Sequence, residues 1–136
     1  MTAVDTNILF YSHDNRDPLK RQIARNLIAS LDSGVLLWQV ACEYLSASRK
    51  LEPQGYSFAA AVQYLNELRT TWPVALPTAA VLDRVPALRA RGFSNWDALL
   101  VGACLEARVT TLISEDFREV TRVESLEILN PFMNLG

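Results

Sequence analysis

The chain has 136 residues, half of them hydrophobic and 21% charged, with only 5 Gly and 6 Pro. That composition supports one packed core over residues 1–136 and excludes a disordered or collagen-like chain. The net charge of −2 rests on 15 acids against 13 bases, and Lys20 and Lys50 are the only lysines; such a balance disfavours a polyanionic partner unless the acids are gathered in one place.

No apolar run approaches the roughly 18 to 20 residues of a membrane helix, and Asp5 cuts the apolar start short, so a soluble, unexported, cytoplasmic protein without a membrane partner is expected. Cys42 and Cys104 lie far apart with no C-x-x-C spacing, and His13 is the single histidine. Buried thiols in a reducing compartment are expected rather than a disulfide or a zinc site.

Thr2-Ala3-Val4 predicts a short strand that meets the polar stop Asp5-Thr6-Asn7, followed by a loop or helix start at Ile8-Leu9-Phe10-Tyr11. From Pro18 to Asp32 the residues Leu19, Ile23, Leu27 and Leu31 recur at helical spacing, and Gly34 ends that helix. Val35 to Trp38 reads as a strand covered on both faces. A helix carrying Val40, Tyr44, Ala47 and Leu51 follows, closed by Pro53-Gln54-Gly55. Ser57 to Thr71 is a third helix, with Ala61, Leu65 and Leu68 on its core stripe, and Val74 to Leu76 is a short strand between prolines. Thr78 to Arg91 is helical but holds Pro86, which predicts a kink or two short helices. Ser94 to Arg108 is a very apolar and hence central helix, and Val109 to Ile113 and Leu126 to Leu129 are the last strands. Alternation of this kind predicts an α/β domain with a mostly parallel sheet, whose ligands collect at the carboxyl ends of the strands.

Asp5, Asp97 and Asp116 fall at such ends, and Glu43 lies on the first turns of the helix after Val35 to Trp38. Carboxylates crowded together either take up protons or share a cation, and oxygen ligands without His or Cys suit Mg²⁺ or Mn²⁺. A divalent ion in such a site activates water for phosphodiester hydrolysis without a side-chain nucleophile. Setting these four acids aside leaves 13 positive charges against 11 negative, so the rest of the surface need not repel a phosphate backbone. Taken singly, each acid also has a structural reading: Asp5 as a helix cap, Ser94-Asn95-Trp96-Asp97 as a capping box, Ser114-Glu115-Asp116 as a turn, Glu43 as a solvated helix acid. Glu43 resists that reading most, because its neighbours Val40, Ala41, Cys42, Tyr44 and Leu45 leave it few polar partners.

Four segments in order, Val4-Asp5-Thr6-Asn7-Ile8-Leu9, Cys42-Glu43-Tyr44-Leu45, Ser94-Asn95-Trp96-Asp97-Ala98-Leu99-Leu100 and Leu112-Ile113-Ser114-Glu115-Asp116-Phe117, resemble the acidic motifs of PIN domains. More narrowly they resemble those of VapC-type ribonuclease toxins, and Ile128-Leu129-Asn130-Pro131-Phe132 is similar to the close of one branch of that family. The resemblance implies five parallel strands in order 3-2-1-4-5 with helices on both faces. It implies Asp5, Glu43, Asp97 and Asp116 as catalytic acids holding Mg²⁺ or Mn²⁺, hydroxyls of Thr6 and Ser114 beside them, and Asn7 and Ser94 orienting them. It further implies a metal-dependent endoribonuclease that cuts RNA, a cognate antitoxin that blocks the acidic site, and a second copy as a further partner. The alternative is a catalytically inactive PIN-like module that binds RNA or protein. Where the family pattern has a glycine after the last acid, Arg118 to Ser125 has none.

Other residues carry weaker signals. His13 reads as a surface residue rather than a general base, and Glu115 as facing solvent. Arg16, Lys20, Arg21 and Arg25 form a solvated helix face, with Arg16, Arg21 and Arg25 as the candidate RNA contacts. Trp96 reads as packing beneath the site, with base stacking as the alternative. Tyr64 and Trp72 join the stripe of Ala61, Leu65 and Leu68, a region that in the family receives the antitoxin or a second protomer. A phosphorylated receiver domain is disfavoured because neither lysine follows a late strand.

Overall fold

In the computed structural model, residues 1–117 and 122–133 are described. β1 (Thr2–Val4), β2 (Gly34–Leu37), β3 (Val74–Ala75), β4 (Thr111–Ile113), β5 (Arg122–Val123) and β6 (Leu126–Leu129) form one sheet in the order β3-β2-β1-β4-β6-β5. All pairings are parallel except β5 with β6. The five parallel strands therefore have the expected order, and the short antiparallel β5 is an addition at the edge. β5 is invisible to periodicity because it has two residues, yet Val123 is fully buried and Glu124, at a φ of 51°, turns the chain back into β6. Residues 118–121, half of the glycine-free segment, lie outside the described residues.

The helices are α1 (Thr6–Tyr11), α2 (Pro18–Ser30), α3 (Trp38–Ala47), α4 (Phe58–Leu68), α5 (Ala79–Ala90) and α6 (Asn95–Glu106). α1 packs on α2 and α3, α3 on α4, and α5 on α6. Right-handed crossovers carry β1 to β2 and β2 to β3 in one direction and β3 to β4 in the other, which puts these two groups of helices on opposite faces. Ser57 and Ser94 cap α4 and α6 through their hydroxyls, and Asp17 caps α2, where Pro18 occupies the first turn. α5 runs through Pro86 as one helix. The hydrogen bond lost at that proline is outweighed by packing along α6, so of the two alternatives expected, a kink or two short helices, the second does not occur.

All four residues of β2 are buried, and α6 buries Ala98, Leu100, Val101, Gly102 and Cys104 against the sheet. Trp38 begins α3 instead of ending β2 and is 49% exposed, and Leu19 on α2 is exposed as well. Cys104 is buried, its thiol pushed up to about 12 by desolvation, but Cys42 is exposed, against the expectation of two buried thiols. Among the described residues no helix is long and apolar enough to cross a membrane.

Gly34 opens β2 directly beneath Trp72, so close that a Cβ would fall within the indole ring system. Gly34→Ala must push Trp72 (4% exposed) out of the core and is expected to cost about 3 kcal/mol in urea unfolding, with a red-shifted tryptophan emission.

Candidate active site

The sheet changes direction between β1 and β4, and their carboxyl ends deliver Asp5 and the Ser114-Glu115-Asp116 segment side by side. The Asp5 N–H donates to the Ile113 carbonyl at 2.8 Å and the Ser114 N–H to that of Leu129 at 2.9 Å, so the parallel ladders hold both residues. Asp5 is 5% exposed and caps α1: its Oδ1 accepts from the Thr6 N–H at 2.7 Å and its Oδ2 from the Ser114 hydroxyl at 2.7 Å. The Ser114 oxygen in turn accepts from the Asp116 N–H at 3.1 Å, so one fully buried serine ties the two acids together.

Burial raises the Asp5 carboxyl to about 6; the bonds from Ser114 and Thr6 offset part of that push, and the charges of Asp116 and Glu43 add to it. The Asp116 carboxyl is also raised, first by partial desolvation and then by Glu115 and Asp97, with the Asn7 amide drawing it back. These mutual effects place Asp5, Glu43, Asp97 and Asp116 in one electrostatic neighbourhood. Asp5, Glu43 and Asp116 line a cavity of about 260 Å³ together with Thr6, Asn7, Phe10, Tyr11, Ala47 and Lys50. Asp97 stands beside it at the third position of α6, where its N–H donates to the Ser94 hydroxyl at 3.2 Å, half of the capping box read from the sequence.

The donor chemistry suits a hard divalent cation. Beside the carboxylates, the Thr6 hydroxyl and the Asn7 amide oxygen are buried without hydrogen-bond partners, while the Asn7 amide nitrogen faces Asp116 without closing a full hydrogen bond. The spacing is open: among the described residues no three acids or other ligating side chains form a ready-made metal cluster. Thr6, Asn7 and Ser114 are thus brought to the acids, while Ser94 acts on the backbone of Asp97 rather than on a carboxylate.

Two neighbours were not legible in the sequence. Lys50, on the 3₁₀ segment Ser48–Gln54 after α3, lines the acidic cavity although it follows no strand. Gln39 donates its side-chain Nε2 to Glu43 Oε1 at 2.8 Å and to the Trp96 carbonyl at 3.3 Å. The i, i+4 spacing of Gln39 and Glu43 is the signal that could have found the first of these bonds.

Other expectations are revised. Trp96 is 69% exposed rather than packed under the site, and with Trp38 and Leu76 it flanks a second, larger groove of about 800 Å³. That groove is mainly apolar; among the described residues its charged side chains are Glu43 and Glu106, and it shares Glu43 with the acidic cavity. Glu115 turns inward, bonded to the Tyr11 hydroxyl and, at 2.9 Å, to Lys20. His13 stacks on Tyr56 and meets Tyr64 edge-on, and desolvation, with Arg25 nearby, lowers it to about 4. Arg16 grips Asp14 bidentately through the Nε–Nη2 edge of its guanidinium, Arg21 bonds Asn15, and Arg25 donates to the Ser12 carbonyl, so all three candidate RNA contacts are engaged within the chain.

Asp5 and His13 act on stability in opposite senses. Asp5 holds its proton to a higher pH in the folded chain than in the unfolded one, so its contribution falls as pH rises from about 4 to about 6. His13 gives up its proton at a lower pH when folded, so its contribution rises from about 4 to 6.5. In metal-free buffer Asp5→Asn is expected to stabilise the chain by about 3 kcal/mol at pH 7 and by little at pH 4. Urea unfolding across that range should show the variant without the Asp5 fall, leaving the rising His13 contribution and the smaller fall from Asp116; a gain independent of pH would refute the burial cost assigned to Asp5.

No protein-family model matches the chain, and no curated protein matches it. Solved structures do. A chain of a toxin–antitoxin complex from Klebsiella pneumoniae superposes with a TM-score of 0.71 at 17% identity, covering 96% of this chain and 98% of that one. A chain of VapBC2 from Rickettsia felis, solved bound to a DNA fragment from its promoter, gives 0.66 at 16% identity over 95% and 97%. VapC20 from Mycobacterium tuberculosis, described as a Sarcin-Ricin loop cleaving toxin, gives 0.65 at 18% identity over 82% and 87%. Over most of its length this chain therefore has the PIN-like α/β fold of VapC structures.

Proposed function

We propose that this chain is a metal-dependent endoribonuclease of the cytoplasm and the toxin of a toxin–antitoxin pair. The observation that carries the reading is the buried Asp5, held by Ser114 and facing Asp116 and Glu43 across one cavity that also receives unpartnered polar atoms of Thr6 and Asn7. Its fold is shared with a toxin described as cleaving the Sarcin-Ricin loop and with chains of toxin–antitoxin complexes, which supports RNA as substrate and an antitoxin as partner.

Asp5, Glu43, Asp97 and Asp116 would hold Mg²⁺ or Mn²⁺. When bound, the cation would supply an acidified water and positive charge that offsets the negative charge developing on the phosphodiester oxygens. The Ser114 hydroxyl fixes one Asp5 oxygen and the Thr6 N–H the other, and each oxygen keeps a further lone pair for a ligand in the cavity that Asp5 lines. Thr6 and Asn7 offer a hydroxyl and an amide to orient a water or a phosphate oxygen there, and Lys50 offers an ammonium on the wall for the non-bridging oxygens. The apolar groove beside Glu43, acidic in its only charged lining, suits an antitoxin segment that combines apolar and basic side chains.

One observation favours the second reading, a PIN-like binding module without catalysis: the acids are not drawn into a ready-made cluster. Cleavage of total bacterial RNA by the antitoxin-free chain with Mn²⁺ or Mg²⁺, with new ends mapped by sequencing, separates the two. Discrete ends that vanish with chelator and in Asp116→Asn are expected; neither cleavage nor Mn²⁺ binding would leave only the binding module. Trp96→Ala, which removes an exposed ring beside Asp97, should raise KM for RNA about fivefold through lost base stacking while leaving the melting temperature unchanged. An unchanged KM would remove Trp96 from the RNA path.

A further inference from the structure

The acids of the candidate site come from three separate places: Asp5 and Asp116 from adjoining strand ends, Glu43 from α3 and Asp97 from α6. The first two are joined by Ser114. α3 and α6 meet only sparsely, so packing alone does little to set Glu43 against Asp97.

Gln39 fills that gap. It stands at the second position of α3, one turn before Glu43 on the same face, and its Nε2 carries two hydrogens with two acceptors in place: Glu43 Oε1 at 2.8 Å and the Trp96 carbonyl at 3.3 Å. The Trp96 carbonyl and the Asp97 N–H belong to one peptide unit. Ser94 holds the N–H side of that unit at 3.2 Å and Gln39 the carbonyl side, so the peptide that carries Asp97 is gripped from α3 and from its own cap. Gln39 also lies on the wall of the apolar groove, where its bond to Glu43 is partly shielded from water and so strengthened, while the bond to the Trp96 carbonyl is exposed. Glutamine suits the position as neither neighbour in chemistry does: glutamate would bring a like charge against Glu43 and no donor for Trp96, and methionine would keep the length with no donor at all.

We infer that Gln39 is a positioning residue that orients the Glu43 carboxylate and couples it to the first turn of α6, fixing Glu43 and Asp97 as a pair toward the divalent cation. This rests on the nuclease reading above, and the test keeps the two apart. Gln39→Met preserves side-chain length and helix propensity and removes the amide, whose Nε2 makes both bonds. Mn²⁺ titration of the purified chain followed by its electron paramagnetic resonance signal, hydrogen exchange at the Asp97 amide in the metal-free chain, and steady-state RNA cleavage are measured for wild type and variant.

The variant is expected to bind Mn²⁺ about tenfold more weakly, to exchange the Asp97 amide faster, and to lose kcat at saturating RNA with KM unchanged, at an unaltered melting temperature. A wild type that binds Mn²⁺ and cleaves RNA beside a variant with the same Mn²⁺ affinity and kcat overturns the role of Gln39 and leaves the nuclease reading standing. A loss confined to KM, or one that follows the melting temperature, overturns it equally, since it would mark Gln39 as a substrate contact or a packing residue. A wild type that neither binds Mn²⁺ nor cleaves removes the nuclease reading and this inference with it.

Discussion

Asp5 ends the strand at the centre of the sheet, and its neighbours follow from that position. A carboxylate at this depth pays for lost hydration, and the chain answers with two donors, the Thr6 N–H that it caps and the Ser114 hydroxyl of the adjacent strand end. Those donors only partly offset burial, which is why the group stays above the ordinary carboxylate range. The rest of the arrangement is built around this constraint. β1 must pair on both sides to fix the Asp5 backbone, β4 must end level with it to bring Ser114, and Cys104 of α6 must lie close enough beneath to feel its charge.

Much of this was legible because it obeys period and punctuation. Continuous apolar runs at Val35 to Trp38 and at Val109 to Ile113 marked the buried parallel strands Gly34–Leu37 and Thr111–Ile113, and Ser57, Ser94 and Pro18 marked helix starts to within one residue. The acids were found because topology sends strand ends to one edge, an argument that needs no side-chain coordinates. What failed was information that sequence spacing does not hold. β5 is too short for a period, and Pro86 is tolerated because tertiary packing on α6 outweighs a local preference. His13, which reads as polar and exposed, is enclosed by Tyr44, Tyr56 and Tyr64 from segments 31 or more positions away.

The same limit explains the charged residues. Glu115 and Lys20 are 95 positions apart and meet only because α2 returns to the end of β4. The arginines of the α1–α2 region looked free because their acceptors, a carboxylate two residues away for Arg16 and a main-chain carbonyl for Arg25, do not announce themselves by pattern. Lys50 looked unplaced because it belongs to a 3₁₀ turn whose position depends on where α3 ends. Its approach to the acids is a property of the fold, and it gives the cavity its one cationic wall among the described residues.

The open spacing of the acids is itself what like charge requires. Holding four carboxylates at coordination distance without a cation would add their repulsion to the desolvation already carried by Asp5. The chain instead fixes one acid rigidly and grades the others outward. Asp116 reaches solvent, Asp97 sits in the first turn of α6 where the helix dipole favours negative charge, and Glu43 is turned by a neutral amide rather than by another charge. Neutral donors at Ser114 and Gln39 orient carboxylates without neutralising them, so the charge stays available to whatever the cavity receives. A site built from salt bridges, like the bidentate Arg16–Asp14 pair on the far end of α1, would have spent that charge internally, as the depression of Asp14 to about 2 by Arg16 makes plain.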